Sequence, residues 1–360
     1  MTGEARKRLA LFGVGRWGSH LLRNFLAMPT VALMSVVEIS SNQRRNIQEQ
    51  FDLPLELEIS DDVDAVLARS DIDAVVVATP AATHYALIKA ALENKKHVLV
   101  EKPLTLQVAE AEELCCIASS NQRLLMVDHT YLFHPAVQQG RSTLDKNPLG
   151  KLHYGYATRT NLGPVRPDVD ALWDLSIHDI AIFNYWLGEI PAAVSAQGQT
   201  WLQANSTSAN NKRFPHGLSD AVWLTLFYPS GFQATIHVCW GNPDKQRRLA
   251  IVGDRGTLIF DEMRSDAPLV LQHGYIKTKQ NCQPFSPQGM YCEPIAINAA
   301  EPLNQVCAHF IHCVTRGCAS SISSGQRGVE LVKILSALSK SLNAGGVRVE
   351  VPAKKNMDTL

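Results

Sequence analysis

Near its start the chain runs Leu9-Ala10-Leu11-Phe12 and breaks at Gly13-Val14-Gly15-Arg16-Trp17-Gly18. Ser19–Met28 then carries Leu21, Leu22, Phe25 and Leu26 at helical spacing. An apolar strand, a glycine turn and an amphipathic helix in that order form the opening of a dinucleotide-binding βαβ unit. Each glycine has its own reason. Gly13 permits the tight turn, Gly15 lets the backbone approach a pyrophosphate, and Gly18 lets the helix pack against the strand. The N–H groups and positive end of the helix face the phosphates. Arg16 and Trp17, inside the turn, are placed with this cofactor-binding set, although for Trp17 packing against the neighbouring domain is favoured over a stacking platform.

The next apolar run, Ala32–Val37, ends in Glu38, 20 residues after Gly18. At that distance a carboxylate is expected to hold the two ribose hydroxyls of NAD. Glu38 would also repel the 2′-phosphate of NADP. Arg44 and Arg45 follow closely enough to leave NADP open, with NAD favoured. A polar helix is expected over Ser41–Gln50, followed by a short one bearing Val63, Val66 and Leu67. Asp73–Thr79 reads as a strand buried on both faces, stopped by Pro80. A helix over Thr83–Asn94, a strand over His97–Glu101, a helix over Leu106–Ala118 and a strand over Leu124–Val127 complete the alternation.

Such alternation predicts an α/β Rossmann domain, a doubly wound parallel sheet, over residues 1–128. Ligands of these sheets sit at the carboxyl ends of the strands. Gly13–Gly18, Glu38, Thr79-Pro80 and Glu101-Lys102-Pro103 therefore fall on one edge. Beyond residue 128 the pattern changes to consecutive strands, Leu152–Arg159, Ala192–Gly198, Ala221–Tyr228, Phe232–Trp240, Arg248–Val252 and Thr257–Asp261. Pro229-Ser230-Gly231 and Gly253-Asp254-Arg255-Gly256 read as hairpin turns. Helices over Trp173–Leu187, Pro302–Arg316 and Gly328–Asn343 would cover one face. The expectation is an α+β domain over 129–351 with a mostly antiparallel open sheet. A mobile loop is expected at Asn205–Pro215 and a disordered tail over 352–360.

Thirty-four basic residues balance 34 acidic ones with no basic run, which argues against nucleic acid or an anionic membrane as a partner. No apolar stretch approaches membrane-spanning length, and the run before Gly13 is too short for a signal-peptide core. Eight cysteines without a C-x-x-C pair fit reduced cytoplasmic thiols better than a disulfide framework.

The second informative stretch is Trp173-Asp174-Leu175-Ser176-Ile177-His178. Asp174 and His178, four apart, share a helix face. An acid one turn from an imidazole can orient it and stabilise its cation, which suits a general base. A helix-start aspartate and a partly buried, hydrogen-bonded histidine would give the same pattern. Lys102, at the cofactor edge of the sheet, could polarise a substrate oxygen or simply be a solvated lysine. Between the first strand of the second domain and Asp174 lie Arg159, Asn161 and Arg166. The arginines could clamp a phosphate or carboxylate and Asn161 a sugar hydroxyl; surface or inter-subunit ion pairs are the alternative. Tyr131 is a further pocket candidate. Cys307, His309, His312, Cys313 and Cys318 lack zinc-ligand spacing, so no metal is expected.

Taken together, Gly13–Gly18, Ala78-Thr79-Pro80 with Thr83-His84, Glu101-Lys102-Pro103 and Asp174-x-x-x-His178 resemble the ordered motif set of the Gfo/Idh/MocA oxidoreductase family. His129–Pro135 resembles the family's crossover into its second domain, and Arg248–Thr257 its sheet segment closing in a glycine turn. The resemblance runs from about residue 8 to 350. It implies a Rossmann domain, an α+β domain whose open sheet often mediates homodimers or homotetramers, and an NAD(P)-dependent oxidation of a sugar or nucleotide-sugar alcohol. By the same resemblance Thr79, Pro80, His84, Glu101 and Lys102 line the cofactor side, and Lys102, Asp174 and His178 are catalytic. Two other activities occur on the same fold, an NAD-using glycosidase and a non-catalytic sensor. Intact Lys102, Asp174 and His178 argue against the sensor.

Overall fold

The computed structural model describes residues 6–203, 214, 217–277 and 285–353. The loop expected at 205–215 and the tail expected at 352–360 lie outside these residues, apart from Phe214, Pro352 and Ala353. The chain divides into two compact units, residues 1–133 with 300–332, and 134–299 with 333–360.

The first unit alternates as its hydrophobic pattern predicts. Its elements are β1 (Lys7–Phe12), α1 (Arg16–Leu26), β2 (Val31–Val37), α2 (Ser41–Gln50), β3 (Glu58–Ser60), α3 (Val63–Ala68), β4 (Ala74–Val77), α4 (His84–Glu93), β5 (His97–Glu101), α5 (Val108–Ser120) and β6 (Leu125–Asp128). The strands form one parallel sheet in the order β3-β2-β1-β4-β5-β6, the arrangement of a dinucleotide-binding fold. Every residue of β4 is buried, as a strand covered on both faces requires. Capping marks the helix starts: Ser40 accepts from the Gln43 N–H and Asp62 from the Ala65 N–H. The strand β3, with its exposed start and half-buried remainder, has too little apolar signal to be read from sequence.

The second unit begins with α6 (Pro135–Leu144), then β7 (Leu152–Leu162), a π-helical turn over Leu172–Ser176 and α7 (Ile177–Leu187). Among the described residues there follow β8 (Ala193–Gln199), β9 (Ala221–Phe227), β10 (Gln233–Cys239), β11 (Gly241–Gly253), β12 (Gly256–Asp261), β13 (Leu269–Lys277) and β14 (Ser286–Pro294). The last described elements are α8 (Pro302–Arg316), α9 (Gly325–Asn343) and β15 (Val349–Glu350). The nine-stranded sheet runs β14-β13-β12-β11-β7-β10-β9-β8-β15 and is antiparallel except where β10 lies parallel to β7. Its inner face meets α7: a side chain on Gly155 would strike the Phe183 ring at 2.5 Å. β13 and β14 are not anticipated from sequence, because β14 is exposed on both faces and carries no alternation.

Residues 300–332 group with the first unit rather than with the second domain expected over 129–351. The physical reason is local. α8 packs on α1, Arg23 pairs with Glu301, and the Ser323 hydroxyl donates to the Val127 carbonyl of β6 at 2.7 Å.

Candidate active site

In the first unit the three glycines behave as their spacing requires. Gly13 has φ +84°, and a Cβ there would lie 2.8 Å from the Thr79 methyl. A Cβ on Gly18 would lie 2.1 Å from the Gly13 carbonyl oxygen, so α1 sits directly on the turn. On Gly15 a Cβ would meet nothing within 4 Å, which leaves the backbone open for a pyrophosphate. Gly15 caps α1 without a side-chain hydrogen bond, and no acidic residue occupies the first turn. Arg16 is exposed, and Trp17, 46% exposed, stands edge-on to His20.

Glu38 is held beside that turn. Its Oε2 accepts from the Val14 N–H at 2.9 Å and its Oε1 from the Ser40 N–H at 3.0 Å. Each oxygen retains lone-pair capacity for a ribose hydroxyl. Arg44 donates to the Glu38 and Ile39 carbonyls and pairs with Asp61 at 3.0 Å, while Arg45 donates to Asn42. These residues fit a dinucleotide with a free ribose: an open glycine turn, an uncapped helix end and a fixed acceptor.

His84 takes a part that the sequence does not reveal. It is 1% exposed, with Nδ1 2.8 Å from the Pro103 carbonyl and Nε2 2.9 Å from the Thr79 carbonyl. It ties the Thr79-Pro80 turn to the Glu101-Lys102-Pro103 turn. The Thr83 hydroxyl donates to Thr79 Oγ1 at 2.7 Å in the same turn. Glu101 and Lys102 are each 8% exposed at the end of β5. Tyr131 lies half-buried in the 3₁₀ turn Thr130–Phe133.

In the second unit Asp174 and His178 share one surface. From Ala171 to Phe183 every residue but these two is buried; both are half-buried. The expected regular helix is replaced over Leu172–Ser176 by a π turn, a local widening common at functional positions. Asp174 accepts from Arg166 Nη1 at 3.2 Å, and Arg166 also grips Asp168 through Nε at 2.9 Å and Nη2 at 2.6 Å. Burial works against the Arg166 charge, but the Asp168 hydrogen bond and the Asp174 charge outweigh it and hold the guanidinium above its ordinary range. An anion at Arg166 therefore competes with two carboxylates already there.

Arg159 corrects the clamp expectation. Its side chain is 2% exposed, and Nε and Nη2 reach the Asp179 carboxylate at 2.9 and 2.8 Å. This is a bidentate, buried pair tying β7 to the first turn of α7, where no substrate anion can approach. Asn161 is also engaged: Nδ2 donates to the Gly163 carbonyl and Oδ1 accepts from Arg247, each at 2.8 Å. Asp168 and Asp179 are partners that the motifs do not contain; Asp168 lies two residues from Arg166 and could be read from sequence, whereas Asp179 lies 20 from Arg159 and could not. In the cysteine-rich helix, His309 Nε2 contacts the Ser320 hydroxyl at 2.9 Å and the Cys313 sulfur at 3.5 Å.

Comparison with known proteins agrees with this geometry. Residues 7–129 match the family model described as an oxidoreductase family with an NAD-binding Rossmann fold, GFO_IDH_MocA. Residues 137–259 match the C-terminal domain model of the same family. The chain belongs to the Gfo/Idh/MocA oxidoreductases. A solved structure of a Magnetospirillum magnetotacticum protein described as an oxidoreductase is 30% identical, with a TM-score of 0.75 over 93% of this chain and 100% of that one. UDP-N-acetylglucosamine 3-dehydrogenase of Acidithiobacillus ferrooxidans is 31% identical over 53% of this chain and 58% of its own length. The scyllo-inositol 2-dehydrogenase (NAD(+)) of Bacillus subtilis is 29% identical over 74% of this chain and 78% of its own. Within the Gfo/Idh/MocA frame the first unit carries the NAD-binding Rossmann fold. Among the described residues no helix is long and apolar enough to cross a membrane.

Proposed function

We propose that this protein is an NAD-dependent dehydrogenase that oxidises a secondary alcohol of a sugar or nucleotide sugar. The observation that carries the reading is the pair Asp174 and His178, the two half-buried polar side chains on an otherwise buried stretch of helix. Bound NAD supplies the hydride acceptor; everything else is left to side chains. His178 takes the proton of the reacting hydroxyl, and Asp174 orients the imidazole or the substrate. Arg166 fixes Asp174 from behind. Lys102 donates to the reacting oxygen and stabilises the charge that develops as the proton leaves. Glu38 and the Gly13–Gly18 turn hold the ribose and the pyrophosphate. Trp17, Thr79, Pro80 and Tyr131 complete the assigned surfaces, and His84 acts by holding Pro80 and Pro103 in place.

The division of labour follows: the first unit binds the cofactor and the second the substrate. The outer face of the nine-stranded sheet supports self-association. It exposes Tyr154 and Trp223, and Trp223 stacks on His237 at 4.9 Å. The test is direct. Purified protein with NAD is challenged with cyclitols, free sugars, sugar phosphates and nucleotide sugars while NADH is followed by absorbance. The account expects NADH formation with one of these classes. Release of an aglycone from glycosides without net NADH would instead establish the glycosidase reading.

A further inference from the structure

β5 and β6 are parallel neighbours in register, so Glu101 at the end of one lies opposite Asp128 at the end of the other. Both are buried, with exposures of 8% and 1%. Asp128 Oδ1 accepts from the Thr130 hydroxyl at 2.8 Å. Its Oδ2, and Oε1 of Glu101, are buried with no hydrogen-bond partner among the described residues. Two ionised carboxylates suit such a place badly. They accept and cannot donate, and their like charges repel strongly out of water. One proton answers both difficulties, because a protonated carboxyl becomes the donor that its neighbour lacks.

We propose that Glu101 and Asp128 hold a single proton between them, and that the one remaining negative charge of the pair positions the ammonium of Lys102, the next residue in the chain. Asp128 is thereby a positioning residue for the lysine, though it stands on another strand and outside the Glu101-Lys102-Pro103 motif.

The surroundings agree. Burial and the Asp128 charge push the Glu101 carboxyl well up, with Lys102 opposing. Burial takes Asp128 up to about 6, against the hydrogen bond from Thr130, the neighbouring Glu101 carboxyl and the charge of Lys102. Two neighbouring groups, His129 and Cys307, stay uncharged near neutral pH and add no charge to the pair. Burial holds His129 down at about 3, with Arg327 and Lys102 adding to the effect. From α8, the Cys307 thiol is pushed up by burial and by the two carboxyls. Near neutral pH the charge facing Lys102 is therefore set by the shared proton, and the two carboxyls titrate as one unit. Only the importance of Lys102 rests on the proposed function; the shared proton stands apart from it.

Infrared spectroscopy of the whole protein at pH 8 tests the proton directly. Exposed carboxyls are ionised there, so the carbonyl stretch of a protonated, buried carboxylic acid stands clear and shifts in D2O. The band is expected in the wild type and lost in both Glu101→Gln and Asp128→Asn. Its absence from the wild type, or its survival in both variants, overturns the proposal. The positioning role is read from the Cε signal of Lys102 in protein carrying 13C-labelled lysine, assigned with Lys102→Arg. In the double variant Glu101→Gln/Asp128→Asn the Lys102 Cε signal at pH 8 should move from its wild-type position, because the charge that holds the ammonium is gone. An unmoved signal refutes the positioning. Neither readout needs a substrate, so failure here and failure of the dehydrogenase reading are separable.

Discussion

Arg159→Met decides between two roles for that side chain. Arg159 and Asp179 are both 2% exposed in their side chains and joined by two hydrogen bonds of 2.9 and 2.8 Å. Removing one member leaves a buried charge without its counter-ion, at a cost of about 3–5 kcal/mol. Each kcal/mol lowers the melting temperature of a unit this size by about 2–4 °C. The variant should therefore melt roughly 6–20 °C lower. Asp179→Leu alone should lose a similar amount. The double variant Arg159→Met/Asp179→Leu should recover most of it, since a buried ion pair exchanged for packed apolar groups is often neutral. Scanning fluorimetry on the four proteins completes the cycle. Because Asp179 is adjacent to His178, the single variants should also lower kcat by disturbing the first turn of α7. An Arg159→Met protein with unchanged melting and a raised KM for a sugar phosphate would refute the reasoning and restore the clamp.

Other expectations follow from contacts in the first unit. Gly18→Ala places a methyl 2.1 Å from the Gly13 carbonyl oxygen, and overpacking of about 1–3 kcal/mol should weaken NAD binding roughly tenfold by fluorescence titration. Unchanged affinity would mean the turn yields freely. Glu38→Ala orphans the Val14 and Ser40 N–H groups and removes the ribose acceptor. NAD affinity should fall about tenfold or more and the preference over NADP should narrow, as competition binding can measure. His97 accepts from the Leu124 N–H at 3.0 Å, and burial, with Arg123 and Lys7, takes its pKa down from 6.5 to about 4. Its folded value lies below the unfolded one, so the stability it contributes is complete above pH 6.5 and is lost as pH falls toward 4. Denaturant midpoints between pH 7 and 4 should fall less steeply for His97→Gln than for wild type; parallel slopes would exclude this group.

Much of the first unit is legible from sequence because glycine spacing and strand periodicity are local signals. α2 over Ser41–Gln50 and β5 over His97–Glu101 fall where patterning puts them. The helix α6 escapes, since His134 caps it through a ring nitrogen and its polar Gln138, Gln139 and Arg141 dilute the apolar face. β14 escapes because an exposed strand is specified by its neighbour β13 rather than by its own residues. At the site, the motif residues can be found by spacing, but what each one touches cannot. Nothing local says that Arg159 will meet Asp179, or that Asp128 will lie beside Glu101. The second pairing comes from strand order and register and the first from the packing of α7 on β7, which only the folded chain supplies. The π turn at Leu172–Ser176 is likewise invisible to a 3.6-residue period.

The central claim is that His178 is the base of a hydride-transfer reaction, and one comparison tests it most directly. With the substrate found in the panel, NADH formation by wild type and by His178→Ala is measured beside NAD affinity in both. Loss of a general base predicts turnover lower by ~10²–10⁴-fold with NAD binding intact. Near-normal turnover in the variant would contradict the account.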